Sequence, residues 1–128
     1  MVDLLDGRAF DINVNDNNPN GFCLIHVDLD AGGKPVDWTF IYANEALAKL
    51  EGKTVEEMTG HRFFELFPNG DRKWLHPYYE AAYEGRSGCF DDISGEVHRY
   101  LHVDVYPTGN KGYCICVLYD IRERTKRR

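Results

Sequence analysis

No apolar run in this sequence approaches the roughly 18 residues that a membrane helix needs, and the N-terminus lacks a signal-peptide pattern. The expectation is a soluble, cytoplasmic chain without membrane contact. Positive charge is also in deficit. The formal net charge is -6, and the basic run Arg122–Arg128 sits at the extreme C-terminus. That balance argues against nucleic acid as a partner. Cysteine is sparse and wrongly spaced for metal. Cys23, Cys89, Cys114 and Cys116 form no Cys-x-x-Cys pair, and no histidine spacing completes a zinc site. Buried reduced thiols are expected. No internal repeat is visible.

What remains is ample for one packed domain: 128 residues, 43% hydrophobic and 13% aromatic. Residues 1–20 read as an N-terminal cap or arm, ending in the turn chemistry of Asp16–Asn20. Gly21–Asp28 reads as a strand, Asp30–Pro35 as a turn, and Thr39–Ala43 as a second, aromatic and β-branched strand. A ladder of short helices follows. Asn44 can cap Glu45–Leu50, which Gly52 ends. Thr54 and Glu57 make a capping box for a second helix that Gly60 closes, and Arg62–Phe67 is a third helical piece stopped at Pro68. The main helix is placed near Pro77, in its first turn, with Tyr79, Ala82 and Tyr83 on one face and Gly85 at its end. Cys89–Ile93, Val97–Tyr106 and Tyr113–Asp120 close the chain as hairpin-linked strands. The fold class is therefore α+β, an antiparallel sheet with helices over one face.

Both faces of the last strands are apolar. Cys114, Cys116 and Leu118 alternate with Tyr113, Ile115, Val117 and Tyr119; Leu101, Val103 and Val105 alternate with Tyr100, His102, Asp104 and Tyr106. Helices bury one set. The other leaves an aromatic patch that needs a cover, from the N-terminal segment, a second copy of the chain, or both.

The junction Tyr42-Ala43-Asn44-Glu45-Ala46-Leu47, the Glu57…Gly60 step, Phe63-Phe64-Glu65-Leu66-Phe67-Pro68 and the terminal Leu118–Arg124 resemble, in order and spacing, the PAS domains of bacterial signalling proteins. The resemblance covers about residues 21–124. It implies a five-stranded antiparallel sheet of order 2-1-5-4-3, with residues 21–121 as the PAS domain and 122–128 as the start of a signalling-helix linker. It implies a covalently attached output domain, such as a histidine kinase or diguanylate cyclase, and a homodimer. By the same analogy a ligand pocket would use Cys23, Ile25, Val27, Ile41, Ala43 and Leu47 from the first half of the chain. Leu101, Val103, Val105, Cys114, Cys116 and Leu118 would complete it. The dimer or cap face would use Tyr100, His102, Tyr113, Ile115, Val117 and Tyr119.

The resemblance also sets cofactor expectations. In flavin light sensors a cysteine stands where this chain has Phe63, and Leu101 and Leu118 replace the amides, so flavin is not expected. The yellow photoreceptors hold their chromophore by a cysteine near Gly70, with a tyrosine and a glutamate where Ala43 and Leu47 stand here. That chemistry is absent. Haem needs a proximal histidine, and His76 with Tyr79 and Tyr83 resembles the arrangement, though Pro77 puts His76 at the helix start. The expected state is cofactor-free and metal-free. The leading reading is a non-enzymatic sensory and dimerisation module, with a haem-based gas or redox sensor through His76 as the alternative. A small α+β enzyme is the second alternative, disfavoured because the expected inner set has no ionisable group beyond cysteine thiols.

Overall fold

The computed structural model describes residues 20–70, 72–94 and 99–121. The expected arm (apart from Asn20), the linker at 122–128 and the start of the fourth strand at Val97 lie outside those residues. In chain order the elements are β1 (Gly21–Leu29), β2 (Pro35–Ala43), α1 (Glu45–Glu51), α2 (Val55–Met58) and α3 (Phe63–Leu66). A 3-10 turn (Arg72–Trp74), α4 (Leu75–Glu84), β3 (Gly88–Ser94), β4 (Arg99–Pro107) and β5 (Tyr113–Asp120) follow. The sheet has five strands in the order β2-β1-β5-β4-β3, with every neighbouring pair antiparallel.

The breaks at Asn44, Gly52 and the Thr54–Glu57 box have the local causes expected of them, whereas the second helix ends at Thr59, one residue before Gly60. Asn44, fully buried, accepts the Leu47 N–H at 2.9 Å and so caps α1. The same oxygen accepts the Phe22 N–H at 3.0 Å, while the amide nitrogen donates to Asn20 O at 3.0 Å. One side chain thus ties the start of β1 to the helix. Gly52 ends α1 in the left-handed region at φ 72. Thr54 and Glu57 close a reciprocal capping box on α2, at 3.1 and 2.9 Å. Asp37 accepts the Phe64 N–H at 3.1 Å, so β2 caps α3 from outside. The ladder also seals an edge of the sheet. Phe40 donates to His61 O at 3.0 Å and accepts from Gly60 at 2.6 Å, which occupies backbone groups of the outermost strand.

β2 departs from simple alternation. Leu24 pairs with Tyr42 but Ile25 pairs with Phe40, so Ile41 is the extra residue of a β-bulge. The bulge shifts the phase. Trp38, Phe40 and Ala43 face the helices in the main core, whereas Ile41 and Tyr42 pack with Phe22 and Leu24 on the opposite face.

α4 begins at Leu75, two residues before Pro77, which lies in the first turn where its missing N–H costs nothing. Its buried residues are Leu75, Tyr78, Ala81 and Ala82. The inward face is therefore rotated from the expected Tyr79–Ala82–Tyr83 set. Tyr79 and Tyr83 stack on each other at the flank, with centroids 5.2 Å apart, and Tyr83 donates to Val27 O at 2.7 Å.

Candidate functional site

Beneath the helical lid lies a small cavity of about 20 Å³. That is room for a water-sized guest. Its floor is the sheet, through Cys23, Trp38, Phe40, Leu101 and Leu118; its roof is Leu47, Glu51, Phe63, Trp74 and Tyr78 from the helices. Aromatic rings fill most of the space between. Trp38 stacks on Phe63 with centroids 4.1 Å apart and planes 18° apart, and meets Tyr78 edge-on at 4.9 Å.

The expected inner residues are distributed unevenly. Cys23, Leu47, Leu101 and Leu118 reach the cavity. Ile25, Val27, Ala43, Val103, Val105, Cys114 and Cys116 are buried in the same core without lining it. Ile41 is a correction: the bulge turns it to the opposite face. Sequence reasoning missed Trp38, Phe40, Glu51, Phe63, Trp74 and Tyr78 as cavity walls. Alternation counted from Trp38 would have found Phe40, and the spacing of Leu75, Tyr78 and Ala82 would have found Tyr78. Nothing local marks Glu51.

The cavity is not wholly apolar. Glu51 is 7% exposed and Trp74 3% exposed, and the indole N–H of Trp74 meets no acceptor among the described residues. The expectation that the inner set holds no ionisable group beyond thiols is corrected at Glu51 and Tyr78. Burial, reinforced by the neighbouring thiols and Glu51, pushes the Tyr78 phenol well above its ordinary pKa. Burial, reinforced by the neighbouring Cys114 and Cys23 thiols, likewise pushes up the Cys116 thiol. Both stay protonated at neutral pH, which makes them packing groups and weak donors rather than nucleophiles. Cys23, Cys114 and Cys116 are free and buried; Cys89 is free and exposed.

His76 takes the second position of α4 with its side chain 80% exposed, 3.6 Å from Glu80. It faces solvent rather than the cavity, because the residue before Pro77 falls on the outer side of the first turn. That is the helix-start position expected from Pro77, and the haem alternative gains no support from it.

The opposite face of the sheet carries the second expected set. Tyr113, Ile115 and Val117 pack half-buried around Phe22 and Leu24. Tyr100 and Tyr106 are exposed, and Tyr119 stacks on His102 at 4.9 Å with planes 24° apart. His102 Nδ1 contacts an Asp91 carboxylate oxygen across the β3–β4 pair, and its Nε2 contacts Asp104 at 2.9 Å. Among the described residues no group of three or more histidine, cysteine or acidic side chains could hold a metal ion.

A five-stranded 2-1-5-4-3 antiparallel sheet lidded by short capped helices has a match among known families: the family model described as PAS fold covers residues 36–128. The chain belongs to the PAS family. Solved structures agree on the PAS fold. A domain of an HTR-like protein from Haloarcula marismortui ATCC 43049 superposes with a TM-score of 0.56 at 16% identity, covering 81% of this chain and 99% of that one. The PAS domain of Bordetella pertussis BvgS gives 0.51 at 20% identity, over 91% of this chain and 83% of that one. An RNA-binding Light-Oxygen-Voltage receptor gives 0.60 at 19% identity, over 90% of this chain but 33% of that larger one. A search of curated proteins returns no significant match. At these identities the neighbours speak for the fold, and this PAS domain takes its place among sensory modules of signalling proteins through its family.

Proposed function

We propose that this PAS domain is a non-enzymatic sensory and dimerisation module that regulates an attached output domain, such as a histidine kinase or diguanylate cyclase. The observation that carries the reading is the two-sided β5. Its inner side chain Leu118 lines the cavity, and its outer side chains Ile115 and Val117 stand half-buried on the face of the sheet opposite the helices. A guest beneath the lid therefore bears on the strand whose other side would meet a second copy. β5 also ends at Asp120, where the chain leaves the sheet. Packing changes at Leu118 can pass to that exit without leaving one strand.

The cavity supports a small input. Its walls are mainly apolar and aromatic, and the unpartnered Trp74 N–H asks for one hydrogen-bond acceptor on the guest. A cofactor-free resting state is supported by the aromatic filling: Trp38 packs against Phe63 and Tyr78 beside a cavity of about 20 Å³, too little for a flat chromophore. Catalysis finds little support, since Tyr78 and Cys116 are held protonated.

Non-denaturing mass spectrometry of the purified chain tests these points together. The expected result is a dimer, bare or carrying an adduct smaller than haem or flavin. A monomer, or a chain loaded stoichiometrically with haem or flavin, would overturn the proposal.

A further inference from the structure

We propose that Asp91, His102 and Asp104 form a proton-operated clamp that holds the edge strand β3 on the sheet and loosens as pH rises. β3 ends the strand order and pairs only with β4 within the sheet. Asp91 stands directly opposite His102 in that pairing. The imidazole lies between two carboxylates, with Nδ1 against Asp91 of β3 and Nε2 against Asp104 of its own strand at 2.9 Å. Stacking on Tyr119 of β5 fixes the ring plane, so both nitrogens stay aimed.

The donor count turns this geometry into a switch. An ionised carboxylate only accepts hydrogen bonds, and a neutral imidazole has a single N–H. Both contacts can be hydrogen bonds only when His102 is an imidazolium. Once it loses a proton, one carboxylate faces a lone pair, and the two acids lose the charge between them. Among the described residues, the other titratable side chains on this face of the adjoining strands are Cys89 of β3, Tyr100 and Tyr106 of β4, and Tyr113 and Tyr119 of β5. None is a cation that could take over. Desolvation works against the charged ring, but the hydrogen bonds to Asp91 and Asp104 outweigh it and raise the His102 pKa above the ordinary histidine value. The clamp is therefore fully closed below the unfolded histidine pKa and opens as pH rises through the higher folded one. Its contacts lie within one chain, so the clamp needs no second copy, although His102 belongs to the expected dimer face. Opening it weakens the hold of β3 on β4 and makes local opening of that edge more frequent, so the proton itself is an input to the sheet.

The test is a pH titration of the full chain by nuclear magnetic resonance, following the His102 ring and the exchange protection of the β3 amides. The His102 midpoint is expected above the ordinary value of about 6.5. Protection of the β3 amides, relative to those of β1, should fall about 3- to 10-fold across that titration, as expected for loss of one hydrogen bond. Asp91 is exposed, so Asp91→Asn folds; it should lower the midpoint and flatten the pH dependence of β3 protection. A wild-type midpoint at or below the ordinary value, β3 protection that ignores the titration, or an Asp91→Asn profile identical to wild type would each overturn the clamp.

Discussion

Trp38 and Phe63 lie face to face with ring centroids 4.1 Å apart, joining the second strand to the helical lid. This contact limits the space in the cavity beneath the lid. Phe63→Ala should cost about 3–5 kcal/mol, the usual range for deleting a buried aromatic ring. It should also open the cavity, so the same variant ought to bind small apolar compounds that wild type rejects. Urea unfolding measures the first effect, and quenching of Trp38 and Trp74 fluorescence by added benzene measures the second.

Asn44 bears on the same lid from the other side. Its side-chain oxygen serves two backbone donors, those of Phe22 and Leu47, within the buried core. Asn44→Ala should cost about 2–4 kcal/mol, because a lost helix cap is joined by a buried N–H left without an acceptor. Chemical denaturation checks it, and the loss should exceed that of the exposed cap variant Thr54→Ala.

The helical ladder was legible because caps are local chemistry. Asn44, Gly52 and the Thr54–Glu57 box act within a few residues, and the structure shows each where the sequence places it. The inner face was legible on β1, β4 and β5, where alternation runs uninterrupted. It failed on β2, because the bulge at Ile41 inserts a residue and reverses the phase, and bulges depend on the partner strand. Pro77 in the first turn and His76 at the helix start lie where the sequence places them, but the inward face of α4 was misread, since Leu75, Tyr78 and Ala81 join Ala82 in the core in place of Tyr79 and Tyr83. Glu51 and Trp74 reach the cavity through tertiary packing that no local pattern announces.

Gly112 is expected to resist substitution. It holds φ 94, donates to Ala82 O at 2.9 Å and accepts from Val27 at 2.8 Å, joining α4 to β1. A Cβ there would lie 2.9 Å from His26 Nε2. Gly112→Ala should destabilise by about 1–3 kcal/mol or more, from backbone strain alone at the lower end. Thermal unfolding of the variant against wild type reads the loss.

Alkaline pH should weaken the core. Burial raises the folded-state pKa of Tyr78, so its contribution to stability is intact below the unfolded tyrosine value of about 10 and declines as pH rises beyond it. Ultraviolet titration should show a tyrosinate that appears only together with unfolding. In Tyr78→Phe that late component should vanish.

The account's central claim, a dimerising sensory module that works through β5, is tested most directly by sedimentation of wild type beside Ile115→Glu. Ile115 pairs with Leu24 on one side and Tyr106 on the other, in the middle of the face opposite the helices. The prediction is a wild-type dimer and a variant monomer with unchanged far-ultraviolet circular dichroism. Two well-folded species that sediment identically would contradict it.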